Sequence, residues 1–486
     1  MIVGPRFTEL WIAQKNHFFF GLMRLTLAVL FAAAIQGCAI LNPTEPYVGM
    51  TQRECDEHEP ISRPTIQSWG EPITLAKAIE IALSNNPELA AIGYEVNEAN
   101  AARDAALGAM LPTVSGKSVY DQYLDRHRLG PPRYTREPRT FSDGVFSSHI
   151  VLNMPLFTGG RLINEFRAAE LLQAASEHRL VRTREELVFD VSSVFYSILA
   201  QKHAIESLEF SQQTLKEHLK RISELIQAQK AAKVDYLRTE VRIADLEQRL
   251  VKERNITAIQ DRVLMNLLGI AQERIDPVNV VGELAIAKTN ETRVEAGITK
   301  AFAQRGDYLA ARAALDAQAK RVDSMRAKHW PSLAIRGTYG GLWAIGNIDR
   351  DGDSSFDDVG SVGLVLDIPI FEGGRISARI RLEQAILAAV QERLRKFELQ
   401  VRKDVETAHL NVSSSFHRVK ATEKSIEQAK ESLRIEREKY NFGKGAITDV
   451  LDAQSALLDS QMNYYQALAD YQTSLAQYRL AVGETP

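Results

Sequence analysis

Asp349, Asp351 and Asp353 alternate along Asp349-Arg350-Asp351-Gly352-Asp353, the spacing with which a calcium loop offers its first oxygens. Such a loop would also need Gly at position 354 and Glu at 360. Ser354 and Gly360 stand there instead, so calcium binding is not expected. The 10 histidines are scattered without ligand spacing. No Gly-x-x-x-x-Gly-Lys-[Ser/Thr], His-Glu-x-x-His or Gly-x-Ser-x-Gly occurs, so no enzyme, cofactor or metal site is expected. Two kinds of group remain. Asp449 follows Thr448 where a helical period begins, and there an acid favours the positive end of a helix with Thr448 as its cap. The other is the thiol of Cys38.

Arg24 precedes the apolar run Leu25 to Ile35, which ends at Ile35-Gln36-Gly37-Cys38. Charge, short apolar core, small residue and cysteine in that order resemble a bacterial lipoprotein signal. The expectation is a signal peptide over 1–37 and a lipid, palmitate included, on Cys38. Gln36 departs from the usual small residue, and Met23 is an alternative start to Met1. About 11 apolar residues are too few for a transmembrane helix. Ala39 after the cysteine gives no signal for inner-membrane retention. Cys55 is then left without an intramolecular partner, so no disulfide framework is expected. Lys plus Arg number 59 against 62 Asp plus Glu, a net charge of -3 that gives no support to nucleic-acid binding.

The elements that position these groups come in two copies. Met154-Pro155-Leu156-Phe157-Thr158-Gly159-Gly160-Arg161 returns as Ile368-Pro369-Ile370-Phe371-Glu372-Gly373-Gly374-Arg375, 214 residues later. Val234-Asp235-Tyr236-Leu237 is answered at the same offset by Thr448-Asp449-Val450-Leu451, and Leu268-Gly269 by Val482-Gly483. The chain is a tandem duplication. The expected units are a leader over 38–72, a first repeat over 73–270, a linker over 271–290 and a second repeat over 291–484.

In the first repeat, helical periodicity starts at Thr74, a plausible N-cap, and breaks at Asn85-Asn86-Pro87 before ending near Met110. Extended runs follow at about 112–124 and 145–157, separated by a polar loop over 125–144. A helix from Arg161 to about Gln229 would be on the order of 100 Å long. Its later part carries a heptad seam, Val191, Ile198, Ile205, Leu219 and Ile226 beside Val194, Leu208, Leu215 and Ile222. A second helix runs to about Gly269. The second repeat predicts a helix over 291–328, strands over 331–343 and 361–371, a long helix over 375–440, a turn over 441–447 and a final helix to 482. Its seam is Val405, Val412, Val419, Ile426 and Leu433, with Ala408, Ser415, Thr422 and Ala429 small at the partner positions. These spacings predict long helices packed side by side.

Each repeat has two strands, so the chain has four, whereas a barrel needs at least about eight to close. Strands of 10 to 13 residues suit a tilted bilayer crossing of ~9–11 and exceed the ~5–6 usual in soluble sheets. Open edges are not tolerated in hydrocarbon, so several chains sharing one barrel is one solution and a small soluble sheet the other.

The paired Pro-[Leu/Ile]-Phe-x-Gly-Gly-Arg junctions, together with the turn from Tyr440 through Gly443-Lys444-Gly445 to Ala453, resemble the TolC-like outer-membrane factors, over about residues 72 to 483. The resemblance implies a mostly α fold with a small β part. It implies a homotrimer whose twelve strands form a transmembrane β-barrel and whose helices form a periplasmic tunnel, the exit duct of an efflux pump. Partners would be a periplasmic adaptor, an inner-membrane pump driven by protons or ATP, and outer-membrane lipid. The resemblance places a periplasmic gate at Asp449 and Asp452, where threefold symmetry would make carboxylate rings that favour cations. Asp235 occupies the duplicated place of Asp449, while Arg238 stands where Asp452 does, so Arg238 is expected to pair with a carboxylate and hold the closed state. Gly443, Lys444, Gly445 and Thr448 would meet the adaptor, and Pro155, Gly159, Gly160, Pro369, Gly373 and Gly374 would turn strand into helix. A type I protein-secretion outlet would use the same duct. A coiled-coil tether without a pore is the rival of another class; it gives no reason for membrane-length strands or glycine junctions.

Overall fold

The computed structural model describes residues 72–130, 140–229, 232–270, 279–286, 293–350 and 356–484. The expected signal peptide, Cys38 and the leader up to 71 lie outside the described residues, as do 351–355 of the calcium-like stretch. In chain order the elements are α1 (Leu75–Asn85), α2 (Pro87–Gly108), β1 (Thr113–Arg128), β2 (Thr140–Phe157), α3 (Arg161–Gln227) and α4 (Lys233–Leu267). The second repeat gives α5 (Val294–Gln304), α6 (Gly306–Ala327), β3 (Ser332–Arg350), β4 (Phe356–Asp367), α7 (Arg375–Asn441) and α8 (Ile447–Val482). Thr113 and Ser332 open equivalent strands 219 residues apart, while Arg161 and Arg375 open equivalent helices 214 apart. The length difference between the copies therefore falls in the strand hairpins.

Thr74 caps α1 as expected, accepting from the Lys77 N–H at 3.4 Å. Asn86 caps α2, accepting from the Glu88 and Leu89 amides at 2.9 and 3.0 Å, with Pro87 at the first helical position. The second repeat departs from expectation, because the single helix over 291–328 is two helices broken at Arg305. No capping side chain marks that break. It is made by packing: a Cβ at Gly306 would run into the His178 carbonyl, and Arg305, only 4% exposed, is held by Asp307 at 2.8 Å and Asp404 at 3.0 Å.

The four strands form one antiparallel sheet in the order β1-β2-β3-β4. They are longer than expected at the ends away from the helices. β1 continues to Arg128, β2 begins at Thr140, β3 runs to Arg350 and β4 begins at Phe356. Backbone pairing such as Thr140↔Arg350 and Arg128↔Phe141 carries the ladder into sequence too polar to show alternation. β4 stops at Asp367, short of the expected 371, ahead of Pro369, which has no N–H to give the ladder.

The expected seam residues Val191, Ile198, Leu208, Leu215 and Ile222 on α3 are 0–2% exposed. Leu208, Leu215 and Ile222 form one core with Leu246 and Leu250 of α4 and with Ile447, Val450, Leu451 and Leu458 of α8. Each such side chain contributes about 1.5–3 kcal/mol when fully buried. The small residues of α7 are closely packed: Ala408 and Ser415 are each 1% exposed, and Ser415 Oγ donates to the Asn411 carbonyl at 2.7 Å. Bulk returns on α8, whose Tyr471 is fully buried in a cluster with Val419.

Candidate functional site

Every structural device at the far end of the long helices serves to turn the chain. α7 ends with the Gly443 N–H on the Tyr440 carbonyl and the Lys444 N–H on the Lys439 carbonyl, each at 2.9 Å. That pair of bonds needs a left-handed residue at Gly443, whose φ is +68°. α8 then begins at Ile447 with Ala446 as its cap residue, so Thr448 lies inside the first turn and is not the cap. Alanine has no oxygen to offer the helix. Instead the Asp449 carboxylate reaches back to accept from the Ala446 N–H at 3.4 Å. Asp449 and Asp452 are both exposed. They sit three residues apart, on one face of the helix. Buried Ile447 and Val450, 2% and 4% exposed, fix the rotation of that face.

The first repeat builds the same turn from other residues. Gln229 takes the place of Gly443, and its N–H bonds the Ile226 carbonyl at 2.9 Å. Asp235 is half-buried in the first turn of α4. Its negative charge adds to burial in pushing the Tyr440 hydroxyl upward, which places it near the end of α7. The expected pairing of Arg238 is not formed: exposed Arg238 joins no ion pair among the described residues of the chain. What ties the two hairpins was not legible beforehand. Arg242 of α4 donates to Ser455 of α8, and Arg249 pairs with Asp459 at 3.2 Å. His218 of α3 was also missed. Its ring lies 5.7 Å from that of Tyr440, and its buried Nε2 has no hydrogen-bond partner. Burial, then Arg437 and Arg221, lower its pKa, against the opposing charge of Asp235.

At the other end of the helices, Gly159, Gly160, Gly373 and Gly374 all have left-handed φ, 65°, 85°, 59° and 75°. Gly160 and Gly374 are the cap residues of α3 and α7, so each glycine pair converts strand to helix. Pro155 lies in β2 opposite Ala334, beside a shift in register, and Pro369 lies beyond β4.

The sheet above these junctions has two unlike faces. Val114, Ile150, Leu152, Ile335, Val362 and Leu364 share one face by register, and Ile150, Val114, Val362 and Leu364 are exposed on the chain. One row crosses all four strands with aromatic rings, Tyr120↔Phe146↔Trp343↔Phe356. From Leu333 to Trp343 is ten steps along β3, which at ~3.4 Å each and a tilt of ~40° gives a band roughly 26 Å tall, apolar but for the row Ser118, Ser148, Gly341 and Asp358 just inside the aromatic one. That is the thickness and aromatic border of an outer-membrane barrel. The opposite face is polar and concave. Side chains from all four strands line a cavity of about 620 Å³ on it, Lys117, His149, Asn153, Arg336 and Thr338 among them. β1 and β4 are each paired on one side only, so the sheet is an open segment of a barrel.

Residues 78–270 and 297–484 match the family model described as outer membrane efflux protein. The chain is 23% identical over 392 residues to the outer membrane protein TolC of Vibrio cholerae, covering 80% of this chain and 85% of that one. It is 26% identical over 406 residues to the pyoverdine export outer membrane protein OpmQ of Pseudomonas putida, covering 79% and 80%. The fold matches the Campylobacter jejuni CmeC outer membrane channel with a TM-score of 0.72 at 17% identity, covering 84% and 85% of the two chains.

Proposed function

The chain belongs to the outer membrane efflux protein family, and we propose that it is the trimeric, passive exit duct of a tripartite efflux system. It is an outer-membrane duct extending into the periplasm, of the kind that serves efflux or secretion systems. The observation that carries the trimer is the sheet itself. Four strands with a membrane-facing apolar band leave β1 and β4 open, and hydrocarbon does not tolerate open edges. β4 of one protomer pairing with β1 of the next removes both edges, and three copies give twelve strands. The helices are too polar to enter the bilayer, since none of the described ones is long and apolar enough to cross it. α3 and α7, each of 67 residues, span about 100 Å as tunnel walls.

In this reading the tip admits cargo delivered by an inner-membrane pump, proton-driven or ATP-driven, through a periplasmic adaptor seated on Gly443, Lys444, Gly445 and Thr448. Asp449 and Asp452 face the entrance, and Cys38 carries a lipid in the outer membrane. Asp449 does two things at once, since one carboxylate can cap α8 and still contribute charge to a ring. A tether without a pore gives no role to the apolar face of the sheet.

Single-channel recording of the purified protein in planar bilayers tests the reading. Discrete cation-selective steps are expected, with selectivity reduced in Asp449→Asn and Asp452→Asn. Asp459→Asn with Ser455→Ala, which removes the contacts of Arg249 and Arg242 with α8, loosens the tip should the resting entrance be sealed. Silence from correctly inserted protein in every form would overturn the duct.

A further inference from the structure

The concave face of the sheet carries a charge pattern that the tip does not explain. Register gives its rows across the four strands. Lys117, His149, Gly340 and Val359 form one row; Ser115, Val151, Thr338 and Ser361 the next; Thr113, Asn153, Arg336 and Gly363 the third. None of these residues is acidic, while two are permanent cations and one is an imidazole. Lys117 and Arg336 are exposed on the chain, and neither they nor His149 take part in an ion pair or side-chain hydrogen bond among the described residues. The carboxylate nearest in register on this face is Asp357, two residues toward the loops from the Lys117 row, ~7 Å along a strand; Asp121 and Asp367 each lie four residues beyond the cationic rows, ~13 Å. The Asp357 carboxylate is turned onto Gly130 at the loop end.

The imidazole also has a prepared place. A Cβ at Gly340 would run into the Ser148 carbonyl oxygen and sit 2.6 Å from His149 Nδ1, so the ring lies beside the glycine and a larger residue would displace it together with the backbone of β2. Lys117, His149 and Arg336 line the cavity of about 620 Å³ together with Asn153 and Thr338, whose amide and hydroxyl offer hydrogen bonds.

We infer that Lys117, His149 and Arg336 form a cationic belt inside the barrel that binds and concentrates anionic small-molecule cargo, bearing carboxylate or phosphate-like groups, at the exit of the duct. The inference rests on the barrel being closed by three copies, which would set six permanent cations and three imidazoles around one lumen. Rings of Lys and Arg are what anion and phosphate pores use, and low-dielectric walls focus such a field. The acidic entrance does not cancel it. Belt and tip are separated by helices of about 100 Å, more than ten times the ~8 Å screening length at physiological salt. The entrance and the exit therefore select independently.

A thiol in the belt tests this whatever the state of the tip, because the barrel opens to the outside. Thr338→Cys lies on the row between Lys117 and Arg336. In a Cys55→Ser background, intact outer membranes would be treated with a sulfonate-bearing and a trimethylammonium-bearing methanethiosulfonate, after subtracting the parent without the new thiol. The anionic reagent should be favoured roughly tenfold over its ratio for a free thiol. Inorganic pyrophosphate should slow it. Lys117→Gln with Arg336→Gln should erase both effects, and Lys117→Arg with Arg336→Lys should keep them. An unchanged ratio in the neutralised protein, or no protection by pyrophosphate in the protein with its charges intact, would overturn the belt. Val362→Cys, on the apolar face, separates the two readings. It should be shielded from both reagents, in the neutralised protein as well. Free reaction there with the charges intact would mean that the sheet is not in a membrane, and the duct would fall with the belt.

Discussion

Gln229 and Gly443 hold the same left-handed backbone conformation, φ +57° and +68°, at the ends of the two 67-residue helices. Among the described residues Gln229 is the only non-glycine with positive φ. A side chain there costs roughly 1–2 kcal/mol relative to a right-handed conformation, and glycine escapes the cost. Gln229→Gly should therefore stabilise the first turn by about 1 kcal/mol. Gly443→Gln should destabilise the second by a similar amount, because its loss is one of conformation: nothing lies within 4 Å of a Cβ placed there. Hydrogen exchange at the Ala228 and Phe442 amides, which close the last turns of α3 and α7, reads each effect locally. Slower exchange at Ala228 in Gln229→Gly is the expected result, and faster exchange would contradict it.

His218 makes the tip sensitive to acid. Its pKa lies below the ordinary 6.5, first because it is buried and then because Arg437 and Arg221 face it, with Asp235 opposing and Tyr440 against the ring. The native state therefore binds fewer protons than the unfolded chain as pH falls through 6.5. Stability contributed by the neutral ring is intact above about 6.5 and declines below it, with the full penalty reached under the native pKa. The contact of α3 with Tyr440 should loosen on acidification. His218→Phe keeps a ring and removes the titration. The difference in local exchange between wild type and His218→Phe should grow between pH 7 and 5; a flat difference would exclude this histidine as the sensor.

Much of this molecule is written in its repeats. The glycine pairs at 159–160 and 373–374 announce strand-to-helix conversion, and the heptads at Leu208, Leu215 and Ile222 announce the helical seam. What was not legible depends on partners distant in sequence. Arg305 stands where the first repeat has the capping Asn86, and an arginine inside a helical period gives no local reason to break it. The reason is Asp404, 99 residues away, and the carbonyl of His178 against Gly306. The outer strand ends are hidden likewise, since Thr140 finds its register from Arg350. At the tip, the 214-residue offset matched Asp449 to Asp235 and so marked both turns. It said nothing of Arg242 and Arg249, because a charged residue on a helix face reads as solvated until its partner on another helix is known.

Those two arginines predict a latch between the hairpins. The Arg249–Asp459 pair is 38% and 54% exposed, so alone it is worth about 0.2–1 kcal/mol. Arg242 adds a charged hydrogen bond to the half-buried Ser455. Asp459→Asn with Ser455→Ala should cost the closed tip on the order of 1.4 kcal/mol, which raises the open-to-closed ratio roughly tenfold. Single-channel open probability measures it. The charge exchange Arg249→Asp with Asp459→Arg should recover most of the pair's share, a result that a purely steric effect would not give.

Gly159 and Gly373 are duplicates by sequence and unequal by surroundings, so the same substitution should have two outcomes. Both have left-handed φ, 65° and 59°, and Ala at either costs about 1 kcal/mol on that ground alone. At Gly159 there is also no room. A Cβ would lie 2.5 Å from the Cβ of Trp330 and 2.8 Å from the Ala327 carbonyl, at the end of α6 where it leads into β3. Neither neighbour is the far end of a flexible side chain, so the junction between β2 and α3 must move away from β3. At Gly373 nothing lies within 4 Å. Overpacking adds about 1–3 kcal/mol to the conformational cost at the first site and nothing at the second. Gly159→Ala should therefore lower the thermal stability of the assembled protein and its yield in the outer membrane, while Gly373→Ala should assemble nearly as the wild type does. The temperature at which the detergent-solubilised oligomer dissociates on a gel would rank them. Equal losses at both sites would mean that a contact from a neighbouring protomer crowds Gly373 in the assembly as Trp330 crowds Gly159 within the chain.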